Sequence, residues 1–444
     1  MNIAKLRQAC TLPNICRLFA LLMVAWQPFP GEHRVPLVGS ALLGLAICRR
    51  GELPEIGAPA KRLAVLLLCL VIPGLLSIPT SLAPGKSWSA IASVALVGLA
   101  GICVLYGLRR RDDHQWLQKG LVVVIAAWIG DGLFQAFTGA DILGYVPQAE
   151  GMINGPFETN GIFGIIVAML TPLVLWEPLK QRYRWALAYL AGLIVTVILT
   201  GQRNNLLLLA LGLMTLSTLW SRRTRLVGIA AFMAAVVITY QFAPTLQQRV
   251  GWMSTSGAEI VTSLQRLQEK PEDGKASRKL FDALNLFTSD RAFLIDAGLK
   301  MIHDRPITGV GLNAFRPAYP LYAQLMPHGH RTVPSHAHNT YLEITAETGL
   351  VGLAGLLVAI GLGWRWFLLA SAERQALAAP YGATLIVMLF PLTTHTVLLA
   401  AFYFTIFLMV LCGYLSALFA PGVEDAINQT SKADQPAHAG VADS

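Results

Sequence analysis

The chain has 444 residues, of which 55% are hydrophobic and only 13% are charged. Soluble globular proteins carry about 25% charged residues, so this composition excludes an ordinary soluble protein and indicates that lipid surrounds much of the chain. The formal net charge of +9 could suggest a nucleic-acid-binding protein. The basic residues lie in short clusters between apolar segments, however, and that pattern is typical of membrane topology.

Apolar segments recur along the chain, many with the roughly 17 to 25 residues that cross about 30 Å of hydrocarbon. The twelve predicted transmembrane helices lie near residues 13–29, 34–48, 62–80, 87–108, 116–138, 160–177, 185–201, 204–220, 225–243, 340–364, 381–396 and 401–419. The second and eleventh segments are short enough to be tilted or re-entrant instead. The short basic N-terminus precedes an apolar segment without a clear cleavage site, which favours a membrane anchor over a removed signal peptide.

Basic clusters occupy every second connection between the predicted helices. They comprise Lys5 and Arg7; Arg49, Arg50, Lys61 and Arg62; Arg109, Arg110 and Arg111; Lys180, Arg182 and Arg184; Arg222, Arg223 and Arg225; and Arg374. Because such clusters concentrate on the cytoplasmic side, both termini are predicted to be cytoplasmic. The connections near 139–159, 201–204, 244–339 and 394–400 then face outward.

The connection over residues 244–339 is far longer than the others, which predicts a functional loop or a small domain. Residues 255–270 and 276–303 have apolar positions at helical spacing, and Pro306 and Gly309 mark a stop. The loop is therefore predicted to be partly helical.

The predicted domains follow from this long connection. They are nine transmembrane helices in 1–243, the outward loop in 244–339, three transmembrane helices in 340–420, and a polar tail in 421–444. The tail lacks apolar periodicity and is predicted to be disordered and cytoplasmic.

Four outward-facing segments concentrate polar residues, namely 154–161, 200–205, 290–311 and 335–352. Arg203 is the most unusual residue among them, because it lies in a connection of a few residues at the edge of the bilayer. A charge so close to hydrocarbon is costly and indicates a function. The alternative is an interfacial arginine whose guanidinium reaches lipid phosphates.

Five of the nine histidines lie in the long loop. Four of them, His328, His330, His336 and His338, could bind zinc, although their spacing matches no closed site. The six cysteines lie in or beside apolar segments, so no disulfide framework is predicted. Asp131 and Gln135, within the fifth predicted helix, could line a polar cavity or hydrogen-bond to neighbouring helices.

The four segments together resemble the O-antigen ligase family and its relatives, the O-antigen polymerases and O-oligosaccharyltransferases. The residues that carry the resemblance are Arg203, Arg291 with Gly298 and Pro306–Gly311, His338 with Asn339, Leu342 with Glu343, and Gly349–Gly352. Gly201 and Gln202 precede Arg203, where the family commonly has small hydroxyl residues.

This resemblance implies an all-α, GT-C-like glycosyltransferase of about twelve transmembrane helices in the inner membrane of a Gram-negative bacterium, with its active site on the periplasmic face. The donor would be a glycan on undecaprenyl diphosphate, and the acceptor a sugar hydroxyl of the lipid A–core oligosaccharide. Attack at the anomeric carbon would release undecaprenyl diphosphate and complete lipopolysaccharide. No cofactor and no metal are implied.

The resemblance also implies residue roles. Arg203 and Arg291 would neutralise the diphosphate, because guanidinium groups match phosphate oxygens bidentately. His338 would be the general base for the acceptor hydroxyl, and hydrogen bonding to the diphosphate is the competing role. Further substrate-binding candidates are Glu158, Asn160, Gln202, Arg305, Arg316, Arg331 and Asn339.

Three functional hypotheses remain open at this point. The first is the ligase, and the second is a polymerase or a protein O-oligosaccharyltransferase that uses the same donor with another acceptor. The third is a transporter or flippase, which should place ionisable residues at mid-bilayer on several helices. Here such residues concentrate on one face, with Asp131 as the clear exception, so the pattern favours an interfacial enzyme.

Overall fold

The chain folds into α-helices joined mostly by short connections. The computed structural model describes residues 11–29, 34–147, 152–157, 159–219, 222, 225, 226, 229, 233, 244–288, 291–323, 333–393, 398 and 401–423. Across these residues it contains helices and no β-strand, which agrees with the predicted all-α class.

In the described residues, eight α-helices precede the long loop. They are α1 (Leu12–Ala25), α2 (Val35–Arg49), α3 (Gly57–Ser77), α4 (Pro84–Gly107), α5 (Arg111–Thr138), α6 (Asn160–Lys180), α7 (Trp185–Leu199) and α8 (Arg203–Leu216). The loop carries α9 (Pro244–Glu269), α10 (Gly274–Phe287), α11 (Ala292–Asp304) and α12 (Phe315–Tyr322). The chain then continues through α13 (Thr340–Leu369), α14 (Ala372–Met388) and α15 (Ala401–Phe419).

Five helical segments are long and apolar enough to cross a membrane, namely Leu53–Ser77, Pro84–Gly107, Arg111–Thr138, Gly161–Lys180 and Thr340–Leu369. Four shorter helices, including α1, α2 and α7, are also apolar. The protein is thus a multi-pass membrane protein, while the count of twelve spans and the GT-C fold stay predictions. Most of the predicted ninth span, 225–243, lies outside the described residues.

Helix α6 is the central helix of the transmembrane bundle. In its most apolar window 78% of the residues are buried, far more than in any of the other four long apolar segments. It packs against α5, α7, α8 and α14. At its crossing with α8, a Cβ atom on Gly164 would come within 2.1 Å of the Asn205 side-chain amide. This close crossing sets the position of the first turn of α8, where Arg203 begins the helix.

The predicted helical character of the long loop is confirmed, with one difference. The periodic segment 276–303 forms two helices, α10 and α11, because the chain leaves the helix at Thr288 and re-enters it after Arg291. Asp273 caps the start of α10 by accepting hydrogen bonds from the amides of Lys275 and Ala276. The break creates an exposed helix end at Phe287 and Thr288.

A backbone break in α13 holds the loop against the membrane helices. Gly349 has φ 66° and ψ −166°, so the helix hydrogen bonds across it are lost. The carbonyls of Ala346 and Glu347 instead accept from the amides of Val310 and Gly311, at 2.9 and 2.8 Å. In exchange, the Leu350 amide donates to the Pro306 carbonyl at 2.8 Å. The Pro306–Gly311 segment of the loop therefore docks on α13 around Gly349 by exchanging backbone hydrogen bonds with it.

This docking predicts a large effect of substituting Gly349. A Cβ atom there would lie 2.0 Å from the Ile307 carbonyl oxygen, and its φ is one that glycine alone adopts readily. Gly349→Ala is expected to destabilise the protein by at least about 1–3 kcal/mol from backbone strain alone. The measurement is the melting temperature of the detergent-purified protein. Gly361→Ala is the matched control, because a Cβ atom there meets open space on the same helix. If the two variants melted at the same temperature, the exchange of hydrogen bonds at Gly349 would be contradicted.

Candidate functional site

Two arginines that are far apart in sequence meet the same helix end. Arg203 donates from Nη1 to the Phe287 carbonyl at 3.2 Å. Arg291 donates from Nη1 to the Thr288 carbonyl at 3.0 Å. These are successive carbonyls at the C-terminus of α10, where the helix dipole favours positive charge. The end of α10 thus anchors both guanidinium groups at neighbouring carbonyl oxygens.

A pair of histidine rings forms the second part of the site. The ring centroids of His336 and His338 lie 4.3 Å apart, and His336 Nδ1 lies 2.6 Å from the Ser335 hydroxyl oxygen. His338 has φ 56°, in the left-handed region that side chains other than glycine seldom adopt. Such strained residues persist only where their surroundings hold them, and they cluster at functional sites.

Both neighbours of His338 in the chain are anchored. The Ala337 amide donates to the buried carboxylate of Glu343 at 2.9 Å. Asn339 caps α13, since its side-chain oxygen accepts from the amides of Tyr341 and Leu342. These bonds hold the backbone of His338 in its strained conformation.

The arginine pair and the histidine pair belong to one site. Burial lowers the pKa of His336 below its usual value, and the positive charge of Arg291 lowers it further. Arg291 therefore lies within electrostatic reach of His336, whose ring touches His338. The site combines two fixed positive charges with an uncharged imidazole at neutral pH.

A second buried acid of α13 binds the connection before α12. Glu347 accepts from the amides of Asn313 and Phe315, at 2.7 and 2.9 Å, and so caps the start of α12. Burying a carboxyl group is costly, and these hydrogen bonds offset part of that cost. Glu343 and Glu347 thus hold loops in place, a role that two acids one turn apart in an apolar helix could have indicated.

The family model described as O-antigen ligase matches residues 188–357. This match confirms the resemblance to the O-antigen ligase family. The matched region contains all four side chains of the site, Arg203, Arg291, His336 and His338. It supports O-antigen ligase- or polymerase-type activity in general, carried out by a glycosyltransferase-like enzyme on lipid-linked glycans. No curated protein matches the chain.

The structure brings together three residues that the sequence predicted, Arg203, Arg291 and His338, and adds His336. Sequence reasoning treated His336 only as part of a possible zinc cluster. The sequence signal for His336 was its position two residues before His338. Side chains two residues apart in an extended segment point to the same side, so both rings could belong to one site.

The other predicted substrate-binding residues have varied surroundings. Gln202 is the residue immediately before α8, and Arg316 is exposed on α12. Arg305 donates to the Thr80 carbonyl and lies 3.7 Å from the Asp304 carboxylate. The Asn339 amide nitrogen donates to the carbonyls of Pro391 and Thr393, so this side chain joins two segments of the protein. Glu158, Arg331 and the side chain of Asn160 lie outside the described residues.

Asp131 and Gln135 bind the connection that follows α5. Asp131 accepts from the Ile142 amide at 2.9 Å. Gln135 accepts from the amides of Asn154 and Gly155, at 2.8 and 3.0 Å. Of the two predicted alternatives, hydrogen bonding within the protein fits these contacts, although the partners lie in a loop and not in another helix. The contacts hold the 154–157 turn on top of α5.

A cavity of about 510 Å³ with almost wholly apolar walls lies along α13. One end is lined by Tyr341 and Pro391, next to the Asn339 cap, and the other by Gly363 and Tyr414. The polarity of its walls suits a hydrocarbon chain.

The structure offers no support for the zinc hypothesis. Within the described part of the chain, no group of three or more histidine, cysteine, aspartate or glutamate residues is placed to hold a metal. His328 and His330 lie outside that part. The described cysteines, Cys16, Cys48, Cys69, Cys103 and Cys412, are free thiols.

Proposed function

We propose that the protein is an O-antigen ligase of the Gram-negative inner membrane. It would transfer a glycan from undecaprenyl diphosphate to a sugar hydroxyl of the lipid A–core oligosaccharide at the periplasmic face. The observation that carries this proposal is that Arg203 and Arg291 bind successive carbonyls at the end of α10, while the His336 ring, which feels the charge of Arg291, packs against His338. The match to the O-antigen ligase family model supports it.

The arginine pair suits the diphosphate of the donor. When the bond between the anomeric carbon and the phosphate oxygen breaks, undecaprenyl diphosphate leaves with the bonding electrons and gains negative charge. Guanidinium groups bind phosphate oxygens in bidentate fashion, and here they are oriented before substrate binds. A fixed donor aimed at developing charge contributes about 10²–10³ in rate.

His338 suits the general base. A neutral imidazole would take the proton of the acceptor hydroxyl while its oxygen forms the new bond to the anomeric carbon. Such a base contributes about 10²–10⁴ in rate. The reaction is a single displacement, so we expect inversion at the anomeric carbon.

The apolar cavity supports a lipid-linked donor. A polyprenyl chain is hydrocarbon throughout, and the walls of the cavity are almost wholly apolar. Its end near Tyr341 and Pro391 lies beside the residue that caps α13 after His338. A chain in the cavity would therefore place its diphosphate end near the start of α13, where Asn339 follows His338.

The test is complementation of a Gram-negative strain deleted for its own ligase. The strain is supplied with lipid-linked O-antigen and with the lipid A–core, and its lipopolysaccharide is run on a gel. A laddered pattern with the wild-type protein, lost in His338→Ala, is the expected result. If well-expressed wild type produced longer lipid-linked glycan or glycosylated protein and no ladder, a polymerase or a protein O-oligosaccharyltransferase would replace the ligase.

Metal removal provides an independent prediction. Because two arginines are assigned the role that a divalent cation often plays, transfer by purified protein is expected to persist in excess EDTA, within about twofold of the untreated rate. The rate of glycan transfer to lipid A–core is measured with and without chelator. Complete loss that Mg²⁺ or Mn²⁺ restores would contradict the arginine assignment.

A further inference from the structure

We propose that a polar pocket between α5, α6 and α14 binds the headgroup of phosphatidylethanolamine. The pocket has a volume of about 160 Å³ and is lined by residues at the start of α5, the end of α6 and the start of α14. Lys180 ends α6, whose first turns cross α8 close to Arg203. The pocket is therefore remote from the arginine pair, at the end of the bundle that is predicted to be cytoplasmic.

Each of the three helices presents polar side chains to this pocket. The polar residues that line it are Arg111, Gln115 and Gln118 on α5, Glu177 and Lys180 on α6, and Glu373 on α14. Within α5 and within α6 these residues are three or four positions apart, so they lie on one face of the helix. Three otherwise largely apolar helices thus turn polar faces to a single space.

The pocket holds two positive and two negative side chains, those of Arg111, Lys180, Glu177 and Glu373. Within the described residues, the four form no ion pairs with other side chains. Glu177 accepts a hydrogen bond from the Gln181 side-chain amide at 2.9 Å, but this neutral donor leaves its charge uncompensated. A ligand that carries both signs of charge satisfies all four groups, whereas a simple anion or cation would also meet like charge.

Gln118 provides an independent observation that points to a ligand. It is only 8% exposed and lines the pocket. In the part of the chain that the structure describes, its side chain makes no hydrogen bond. Leaving a buried amide without a partner is costly, and a polar group in the pocket would remove that cost.

Size and surroundings favour ethanolamine among zwitterionic headgroups. A cavity needs about 10–15 Å³ to hold one water, so the pocket has room for a group of roughly ten non-hydrogen atoms, such as phosphoethanolamine. Its ammonium has N–H donors for the carboxylates of Glu177 and Glu373, and its phosphate suits Arg111 and Lys180. A choline headgroup has no N–H donor and is recognised mainly by aromatic cages, whereas the pocket has a single aromatic residue, Trp176.

The same tryptophan favours a lipid over a free zwitterion. Trp176 lines both the polar pocket and the apolar cavity along α13. A molecule with its polar head in the pocket therefore has apolar surface next to it for a hydrocarbon chain. The diphosphate of the proposed donor belongs near Tyr341 and Pro391 instead, so the two lipids would have separate headgroup sites.

The test is native mass spectrometry of the detergent-purified full-length protein. It is titrated separately with phosphatidylethanolamine, phosphatidylglycerol and phosphatidylcholine of the same acyl chains, and with soluble phosphoethanolamine. We expect phosphatidylethanolamine to bind about tenfold more tightly than any of the other three, because each lacks the ammonium, its N–H donors or the chains. Equal binding of soluble phosphoethanolamine would overturn the lipid assignment. Binding of phosphatidylglycerol or phosphatidylcholine at least as tight as that of phosphatidylethanolamine would overturn the zwitterion site.

Two variants locate the binding. Glu177→Gln removes the charge for the ammonium but keeps an oxygen that accepts from Gln181, so it should weaken phosphatidylethanolamine binding about tenfold and phosphatidylglycerol binding not at all. Lys180→Gln should weaken the binding of both lipids. The matched controls are Asp112→Asn and Arg365→Gln, which remove exposed charges outside the pocket and should bind lipids like wild type.

The melting temperature of each variant without added lipid checks that it is folded. If the two pocket variants bound phosphatidylethanolamine as tightly as wild type, or if the controls lost as much affinity, the proposed site would be wrong. This binding is measured without glycan transfer, so its failure and the failure of the proposed function are separate results.

Discussion

Replacing Arg203 or Arg291 with alanine is expected to lower the rate of glycan transfer by about 10²–10³-fold while the protein stays folded in the membrane. Each guanidinium is anchored at the C-terminus of α10, and in the proposed function both neutralise the diphosphate of the donor. Loss of one such group lowers the rate by about 10²–10³, and loss of both should fall below detection. The measurement is the rate of transfer to lipid A–core by purified protein, with the melting temperature as a check on folding.

Two further kinds of variant test this prediction. Arg278→Ala removes an exposed arginine from α10 itself, so it tests whether positive charge on this helix matters in general, and we expect a rate close to wild type. Lysine at position 203 or 291 keeps the charge but loses the planar fork, so it should restore only part of the rate. Near-normal transfer by both alanine variants would remove the arginines from the mechanism.

Replacing His338 with alanine is expected to produce the second large loss, about 10²–10⁴-fold in kcat. The residue has a strained backbone, and its two neighbours are anchored by Glu343 and by the Asn339 cap. Alanine keeps those bonds, so the protein should fold and bind the donor. The measurement is kcat and the donor KM, together with the lipopolysaccharide ladder in cells.

The two roles considered for His338 differ in what the variant does to donor binding. A general base acts only on the acceptor, so His338→Ala should leave the donor KM nearly unchanged. If His338 instead binds the diphosphate, His338→Ala should raise the donor KM. His303→Ala serves as the control, because His303 is an exposed histidine in the last turn of α11. A ladder of normal intensity from His338→Ala would exclude both roles.

Several features of the protein could be predicted from sequence because they depend on local composition. The apolar segments predicted helices, and α2 formed although its segment was short enough to be re-entrant. Boundaries were less certain, since α14 begins at Ala372, well before the predicted 381, with Ser371 as its cap. Composition identifies a helix better than it locates an end that one side chain determines.

The candidate site residues could also be identified in part from the sequence. Arg203 stood out because a charge at the bilayer edge is costly, and the family motifs added Arg291 and His338. What the sequence alone determined is therefore an all-α membrane protein, because hydropathy is a property of each residue by itself. The three candidate side chains needed the family motifs as well as the position of a charge.

Only the tertiary structure decided how these residues meet. The break between α10 and α11 creates the helix end that Arg203 and Arg291 share, and no local pattern shows that α8 points toward it. The exchange of hydrogen bonds across Gly349 carries the loop to the start of α13, where His336 joins His338. These contacts join residues far apart in the chain, and their geometry depends on how whole helices pack, which the sequence of any one segment does not contain.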